Sequence, residues 1–78
     1  MNEWLSARAD ALAAATGTPR DRLELSPADI DKLLELAGHA AHDSGARTNA
    51  PLLCYLAGLA QGASRTLDEI EETVRSTS

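Results

Sequence analysis

Aromatic residues are almost absent from this 78-residue sequence, which has no phenylalanine, one tryptophan (Trp4) and one tyrosine (Tyr55). Its core must therefore come mostly from leucine and alanine. A fully buried leucine contributes about 1.5–3 kcal/mol, and alanine brings much less apolar area. A chain of this length buries only about 60% of the surface that its unfolded form exposes. We expect one small, marginally stable domain over residues 1–78, and a structural homodimer is an open alternative.

Basic residues are also scarce, and they are nowhere clustered. Seven Lys and Arg stand against twelve Asp and Glu, which gives a formal charge of −5. Nucleic acids and anionic membranes are bound through clustered cations, so this balance argues against both as partners. The sequence has no apolar run of 18 residues and no apolar region typical of a signal peptide, so we expect a cytoplasmic protein. Cys54 is the single cysteine, which excludes an internal disulfide and favours a role in the core.

Helix start and stop signals divide the chain into four predicted helices. Asn2 is placed to cap the first helix and Gly17 to end it. In Ser26-Pro27-Ala28-Asp29 the serine caps, the proline takes the first helical position and the aspartate meets free amides. The other signals are Gly45 at the end of the second helix, Thr48 or Asn49 before the third, and Thr66-Leu67-Asp68-Glu69, a capping box, before the fourth. They predict a compact all-α domain of four helices, orthogonal or bundle-like.

The third predicted helix carries no charge from Leu52 to Ala63. A helix without a polar face is typical of a buried one, and about a dozen residues are too few to cross a bilayer. Gly58 and Gly62 each cost about 1 kcal/mol of helix propensity relative to alanine, and close approach of a neighbouring helix would compensate. We therefore predict that this helix is the buried centre of the domain. The predicted helix-packing residues are Pro51, Leu52, Leu56, Gly58 and Gly62.

The loop between the second and third helices holds the candidate interaction site. Arg47 is the only charged residue between Ser44 and Ser64. Together with the amides at the start of the third helix, it could meet a carboxylate or phosphate of a partner. The alternative that we favour is structural, with Arg47 capping carbonyls at the end of the second helix or pairing with Asp43. The residues of this candidate interaction or anion-binding loop are His42, Asp43, Arg47 and Asn49.

Metal binding at this loop is the weaker interpretation. His39 and His42 are three residues apart and Asp43 is adjacent, and two imidazoles with a carboxylate can hold zinc. A third histidine and a second cysteine are missing, however. Histidine in a last helical turn also interacts favourably with the negative end of the helix dipole. We expect neither a metal nor another cofactor.

The motifs of several enzyme and carrier classes are missing or misplaced. Acyl carrier proteins share this length and acidity, but they attach their prosthetic group to the serine of Asp-Ser-Leu at a helix start. Here Asp43-Ser44 is followed by Gly45 and ends a helix. No nucleophile elbow and no glycine-rich phosphate loop is present. A helix-turn-helix DNA reader would need a polar, basic third helix. We predict that the protein is not an enzyme.

Several stretches carry a resemblance to a known family. They are Trp4-Leu5, Leu34 to His42, His42 to Leu52 with Arg47 and Pro51, and Leu56 to Gly62, with Tyr55 as the aromatic of the third helix. They resemble a small actinobacterial helical domain of unknown function. That domain occurs alone or C-terminal to a molybdenum-cofactor (molybdopterin) guanylyltransferase.

The resemblance implies an accessory or docking role and supplies no catalytic residue. A guanylyltransferase needs a Rossmann-like sheet and a glycine-rich nucleotide loop, and this chain has neither. We therefore expect a non-enzymatic interaction domain, linked through a protein partner to the synthesis of molybdopterin-guanine dinucleotide. A structural homodimer, and a small-molecule or metal binder at the loop between the second and third helices, are the alternatives.

Overall fold

The computed structural model is all-helical over the residues that it describes, 1–62 and 66–77. This confirms the predicted all-α class with four helices. Backbone contacts divide the chain into two compact units, residues 1–30 and 31–78, and the single domain predicted over residues 1–78 stays a prediction. The helices are α1 (Glu3–Thr16), α2 (Pro27–Ser44), α3 (Asn49–Gln61) and α4 (Leu67–Thr77), with a short 3-10 turn at Arg20–Leu23.

The predicted caps form in the first unit. The Asn2 side-chain oxygen accepts a hydrogen bond from the Leu5 amide at 2.8 Å, which begins α1. Gly17 ends α1 in the left-handed region with φ 74°, where an L side chain would be strained. Ser26 and Asp29 form the reciprocal capping box, because each backbone amide donates to the other residue's side chain, at 3.2 and 3.1 Å. These local signals are therefore confirmed.

An ion-pair network that the sequence did not reveal joins the 3-10 turn to α1. The Arg20 guanidinium contacts Asp10 at 2.6 Å through Nε and Glu24 at 2.8 Å through Nη1. The hydrogen bond to Asp10, and to a lesser extent the one to Glu24, raises the pKa of Arg20 above its ordinary value. All of these groups are accessible to solvent, so the network orients the turn more than it stabilises the fold.

Three helices meet in the core of the second unit. Leu36 of α2, Ala57 of α3 and Ile70 of α4 form its buried cluster, and Leu53 and Val74 pack against them half-buried. Leu36 is the most deeply buried large side chain that the structure describes, with 1% of its surface exposed. Because each helix contributes one of the buried positions, a single substitution at Leu36 affects the contacts of all three.

Ion pairs reinforce the contact between α2 and α4. Lys32 of α2 bonds to Asp68, and its Nζ lies 3.9 Å from Glu71 Oε1. Arg75 Nη2 lies 3.4 Å from the other oxygen of Glu71. These pairs place the charged side of α4 next to α2.

The buried centre predicted for α3 is not observed. Leu52, Tyr55, Leu56 and Leu59 are each between 58% and 69% exposed. Ala57 is the one buried residue of this helix. The absence of charge makes burial of α3 favourable, but burial also requires other helices large enough to cover all of its sides. The core of the second unit covers only the side of α3 that carries Ala57 and Leu53.

The predicted close approach at the glycines is also not observed in the described chain. A Cβ built on Gly58 would have none of the described atoms within 4 Å beyond its own helix. A Cβ at Gly62 would meet the Leu59 carbonyl at 3.3 Å, but that carbonyl belongs to α3 itself. Pro51 is exposed in the first turn of α3, and Ala63, at the end of the uncharged run, lies outside the described residues.

Candidate functional site

Ser44 and Gly45 shape the bend between α2 and α3. Gly45 adopts φ 72°, and its amide donates to the Ala41 carbonyl at 3.1 Å. The Ser44 hydroxyl donates to the Ala40 carbonyl at 2.5 Å and accepts from the Ala46 amide at 3.2 Å. The end of α2 is therefore capped by Ser44 and by the backbone. Sequence reasoning gave this role to Arg47 and considered Ser44 only as a prosthetic-group site.

The predicted interaction loop is exposed throughout, with His42, Asp43, Arg47 and Asn49 all accessible to solvent. Within residues 1–62 and 66–77, Arg47 forms no ion pair with Asp43. The structure therefore brings these four residues to one bend without joining their side chains into a site.

The start of α3 offers few amides to an anion. The Asn49 amide donates to the Ala46 carbonyl at 3.0 Å, and the Ala50 amide donates to the Arg47 carbonyl at 3.1 Å. Pro51 has no amide hydrogen. The Arg47 guanidinium would therefore have to bind an anion without help from these three positions, which removes the main physical support for an anion-binding loop.

The metal alternative has no support in the geometry. In the part of the chain that the structure describes, no group of three His, Cys, Asp or Glu side chains is placed to hold an ion. Asp43 and His39 both line a neighbouring cavity, whereas His42 does not. The three residues therefore do not converge.

A groove in the second unit lies along α3 and α4 and also borders the end of α2. It consists of two adjoining cavities of about 420 and 490 Å³, and we call it the α3–α4 groove. Leu53, Leu56, Thr73 and Val74 line both cavities. His39, Ala40, Asp43, Ser44 and Asn49 complete the first cavity, and Ala57, Ala60, Glu69 and Ile70 complete the second.

The exposed apolar residues of α3 lie beside this groove. Leu52, Tyr55, Leu56 and Leu59 follow the spacing i, i+3, i+4 and i+7, which places them on one side of the helix; we call this side the α3 face. Leu56 belongs to both the α3 face and the groove. The two therefore form one continuous apolar surface.

Sequence reasoning found part of this surface. It named Leu52 and Leu56 as packing residues. It did not predict that Leu53, Thr73 and Val74 would border an open groove. The signal was present in the strongly one-sided apolar pattern of α4, but the pattern does not show how closely α4 approaches α3.

The described helices include none that is long and apolar enough to cross a membrane.

A family model decides what this chain is related to. The model of DUF6457, a domain of unknown function, matches residues 1–78. The chain belongs to the DUF6457 family. Comparison with curated proteins and with solved structures gave no match. As a DUF6457 domain, the chain belongs to a family of unknown function, and it is all-helical over the described residues.

The surface of this DUF6457 domain combines the α3 face with the adjoining α3–α4 groove. Aliphatic side chains line most of the second cavity, whereas five of the nine residues that line the first are polar: His39, Asp43, Ser44, Asn49 and Thr73. The arrangement can bury apolar side chains of another molecule and orient it by charge.

Proposed function

We propose that this domain is a non-enzymatic interaction module that binds a protein partner through the α3 face. The observation that carries the proposal is the exposure of Leu52, Tyr55, Leu56 and Leu59 on one side of an uncharged helix. Contiguous exposed apolar residues on a small protein are typical of interaction surfaces. Tyrosine at such a face is also typical, because a tyrosine ring combines apolar area with a polar group and few rotatable bonds.

Charge supports a protein partner over the other classes. The chain carries a formal charge of −5, and its α3 face has no cation within it. A helix that binds a membrane surface usually has Lys and Arg on its polar side, and a nucleic-acid surface needs clustered cations. The uncharged α3 face meets neither requirement.

We further propose that the partner is an enzyme of molybdenum-cofactor biosynthesis, the guanylyltransferase above all. This step is supported by the sequence resemblance described above, and it assigns catalysis to the partner. The domain would then act as an accessory or docking unit, and we expect that it requires no cofactor of its own.

Calorimetric titration with the molybdenum-cofactor guanylyltransferase of the same organism tests the proposal. We expect binding by the natural chain and a loss of at least about tenfold in affinity for Leu59→Glu, because a charge would be buried in the interface. Gln61→Glu is the matched control, since it adds the same charge to an exposed position elsewhere on α3. It should leave the affinity unchanged.

The outcomes separate the levels of the proposal. Absence of binding to the guanylyltransferase would remove the molybdenum-cofactor role. Equal affinities of Leu59→Glu and the natural chain would remove the α3 face as the binding surface. A stable dimer in light scattering that Leu59→Glu converts to a monomer would replace the proposal with the structural homodimer.

A further inference from the structure

The first unit carries an exposed apolar surface on α1 with an arginine at its centre. Trp4 is 62% exposed and Leu12 is 55% exposed, and Leu5 is exposed as well. Trp4, Arg8 and Leu12 follow one another at intervals of four residues, and Leu5 lies three residues before Arg8. These spacings place all four on one side of the helix, and we call this side the α1 face. Ala9 is the buried residue of α1, so most of its apolar area stays uncovered within the first unit.

Arg8 has no acidic partner in the part of the chain that the structure describes. Its guanidinium lies over the indole ring of Trp4, with Cζ 4.2 Å from the ring centroid, which is a cation–π contact. The residues one helical turn away from Arg8 are Trp4, Leu5, Ala11 and Leu12, and none of them is charged. No carboxylate of the described residues forms an ion pair with Arg8. The indole therefore holds the guanidinium in place while its N–H donors stay open to an outside acceptor.

We infer that the α1 face binds an apolar helix of a partner protein that carries a carboxylate between two apolar side chains. The carboxylate would accept two parallel hydrogen bonds from Arg8, because a planar guanidinium matches carboxylate geometry. The flanking apolar side chains would cover Trp4 and Leu12. Tryptophan and arginine are also the residue types that contribute most to protein interfaces. The inference goes beyond the proposed function, because it assigns a second surface, in the first unit, with an occupant of its own.

The position of Arg8 makes the counter-charge necessary. Trp4 and Leu12 lie about 12 Å apart along the helix axis, and Arg8 lies midway between them. A partner that covers both apolar side chains therefore covers the guanidinium too. A neutral or basic partner would leave that charge out of water without a counter-charge, which opposes binding. The α1 face therefore selects an acidic partner by penalising the others.

A second copy of this chain does not fit the α1 face symmetrically. In a twofold dimer, if residue i contacts residue j, then j also contacts i. An antiparallel pair that places Trp4 against Leu12 of the other copy would bring the two Arg8 guanidiniums together at the axis. Like charges oppose each other across an interface, so the arrangement disfavours self-association through α1.

A single-stranded nucleic acid fits the α1 face less well than a protein helix does. Bases stack on tryptophan, but the backbone of the strand needs a groove lined by several cations. Arg8 is the only cation of α1, and Glu3 and Asp10 lie on the same helix.

A pair of designed peptides tests the inference on the full chain. Each is a capped helix of about 18 residues, long enough to be partly helical alone. Leucines at i and i+8 flank position i+4, which is glutamate in one peptide and glutamine in the other. Affinities come from the fluorescence anisotropy of a labelled peptide. The emission of Trp4, the only tryptophan in the sequence, reports whether an unlabelled peptide contacts the α1 face.

We expect the glutamate peptide to bind about fivefold more tightly than the glutamine peptide, from one charge contact at the edge of solvent. The emission of Trp4 should shift to shorter wavelength at saturation, because the indole leaves water. Arg8→Met should abolish the preference and keep the helix, since the two residues have similar helix propensities. Arg22→Met is the matched control. It removes a cation from an exposed position of the same unit, so it should preserve the preference.

Four results of the peptide titrations would overturn the inference: equal affinities for the two peptides, no binding of either, an emission of Trp4 that stays unchanged on binding, or a preference that Arg8→Met retains. Two further results would replace the occupant. One is a dimer in light scattering that Trp4→Ala converts to a monomer. The other is a single-stranded oligonucleotide that binds more tightly than the glutamate peptide.

The proposed function is tested separately, because it concerns the α3 face. Leu59→Glu should leave both the peptide preference and the emission shift unchanged, and loss of either would place the peptide on α3 and overturn the inference. Absence of binding to the guanylyltransferase leaves the peptide result intact. Loss of the peptide preference leaves the guanylyltransferase role to be decided by its own titration.

Discussion

Truncation of Leu36 tests the core of the second unit directly. Leu36 is 1% exposed and belongs to the buried cluster that joins three helices through Ala57 and Ile70. Leu36→Ala removes three buried carbons from α2 and leaves a cavity between the helices. Neither partner can fill it readily, because Ala57 is too small and Ile70 is held in α4.

The expected cost follows from this burial. Truncation of a buried leucine to alanine costs about 2–5 kcal/mol, and a site bordered by three helices should fall near the middle, at about 3 kcal/mol. The free energy of unfolding of a small domain lies near the lower end of about 5–15 kcal/mol, so the variant would lose roughly half of its stability. The midpoint of thermal unfolding should fall by roughly 12–24 °C, at about 4–8 °C per kcal/mol for a domain of this size.

Leu34→Ala is the matched control for this measurement. Leu34 lies on the same helix but is 67% exposed, so the same atoms are removed from a position that water already reaches. Its cost should stay below about 0.5 kcal/mol. The assay is urea denaturation of each variant, followed by circular dichroism. Equal losses at positions 34 and 36 would refute the arrangement of the core, because they would mean that both side chains are buried to the same extent.

Three further substitutions test local features. Ser26→Ala should cost about 1 kcal/mol, because the amide of Asp29 loses its acceptor, and Ser26→Asp should restore the stability. Gly58→Ala should raise the stability by up to about 1 kcal/mol, since a Cβ there meets open space; a loss would show that another surface covers the helix. Gly45→Ala should cost at least about 1 kcal/mol, because φ is 72° at this bend. Thermal melts of the purified variants measure all three.

The caps were predictable because they depend on short stretches of chain. The Asn2 side-chain oxygen accepts from the Leu5 amide, only three residues away. The capping box of Ser26 and Asp29 spans the same number of residues. Thr66 likewise accepts from the Glu69 amide at 3.1 Å, as the capping box predicts. In each case the donor and acceptor are neighbours once one helical turn forms, so residue identity alone decides the contact.

The candidate site was predicted less well, because its contacts depend on competition. Arg47 was a reasonable candidate to cap the end of α2, but the Ser44 hydroxyl lies one turn from the Ala40 carbonyl and takes that position. Composition does not show whether a nearby hydroxyl or a longer, more flexible guanidinium will bond to the carbonyls at the end of α2. In the same way, the Asn49 and Ala50 amides donate to the nearby carbonyls of Ala46 and Arg47, so they are not available to an anion.

The amino-acid sequence by itself determined the helical class, the caps that begin α1, α2 and α4, and the uncharged character of α3. The cap predicted from Thr48 or Asn49 was wrong, because Thr48 precedes α3 without a side-chain hydrogen bond. Only the tertiary structure decided which side of α3 is covered and where the groove opens. Burial at Leu36, Ala57 and Ile70 requires residues far apart in the chain to meet. Hydrophobic attraction has no direction, so an uncharged helix can satisfy it within its own chain or against another molecule. The packing of α2 and α4 against one side of α3 leaves the other side exposed.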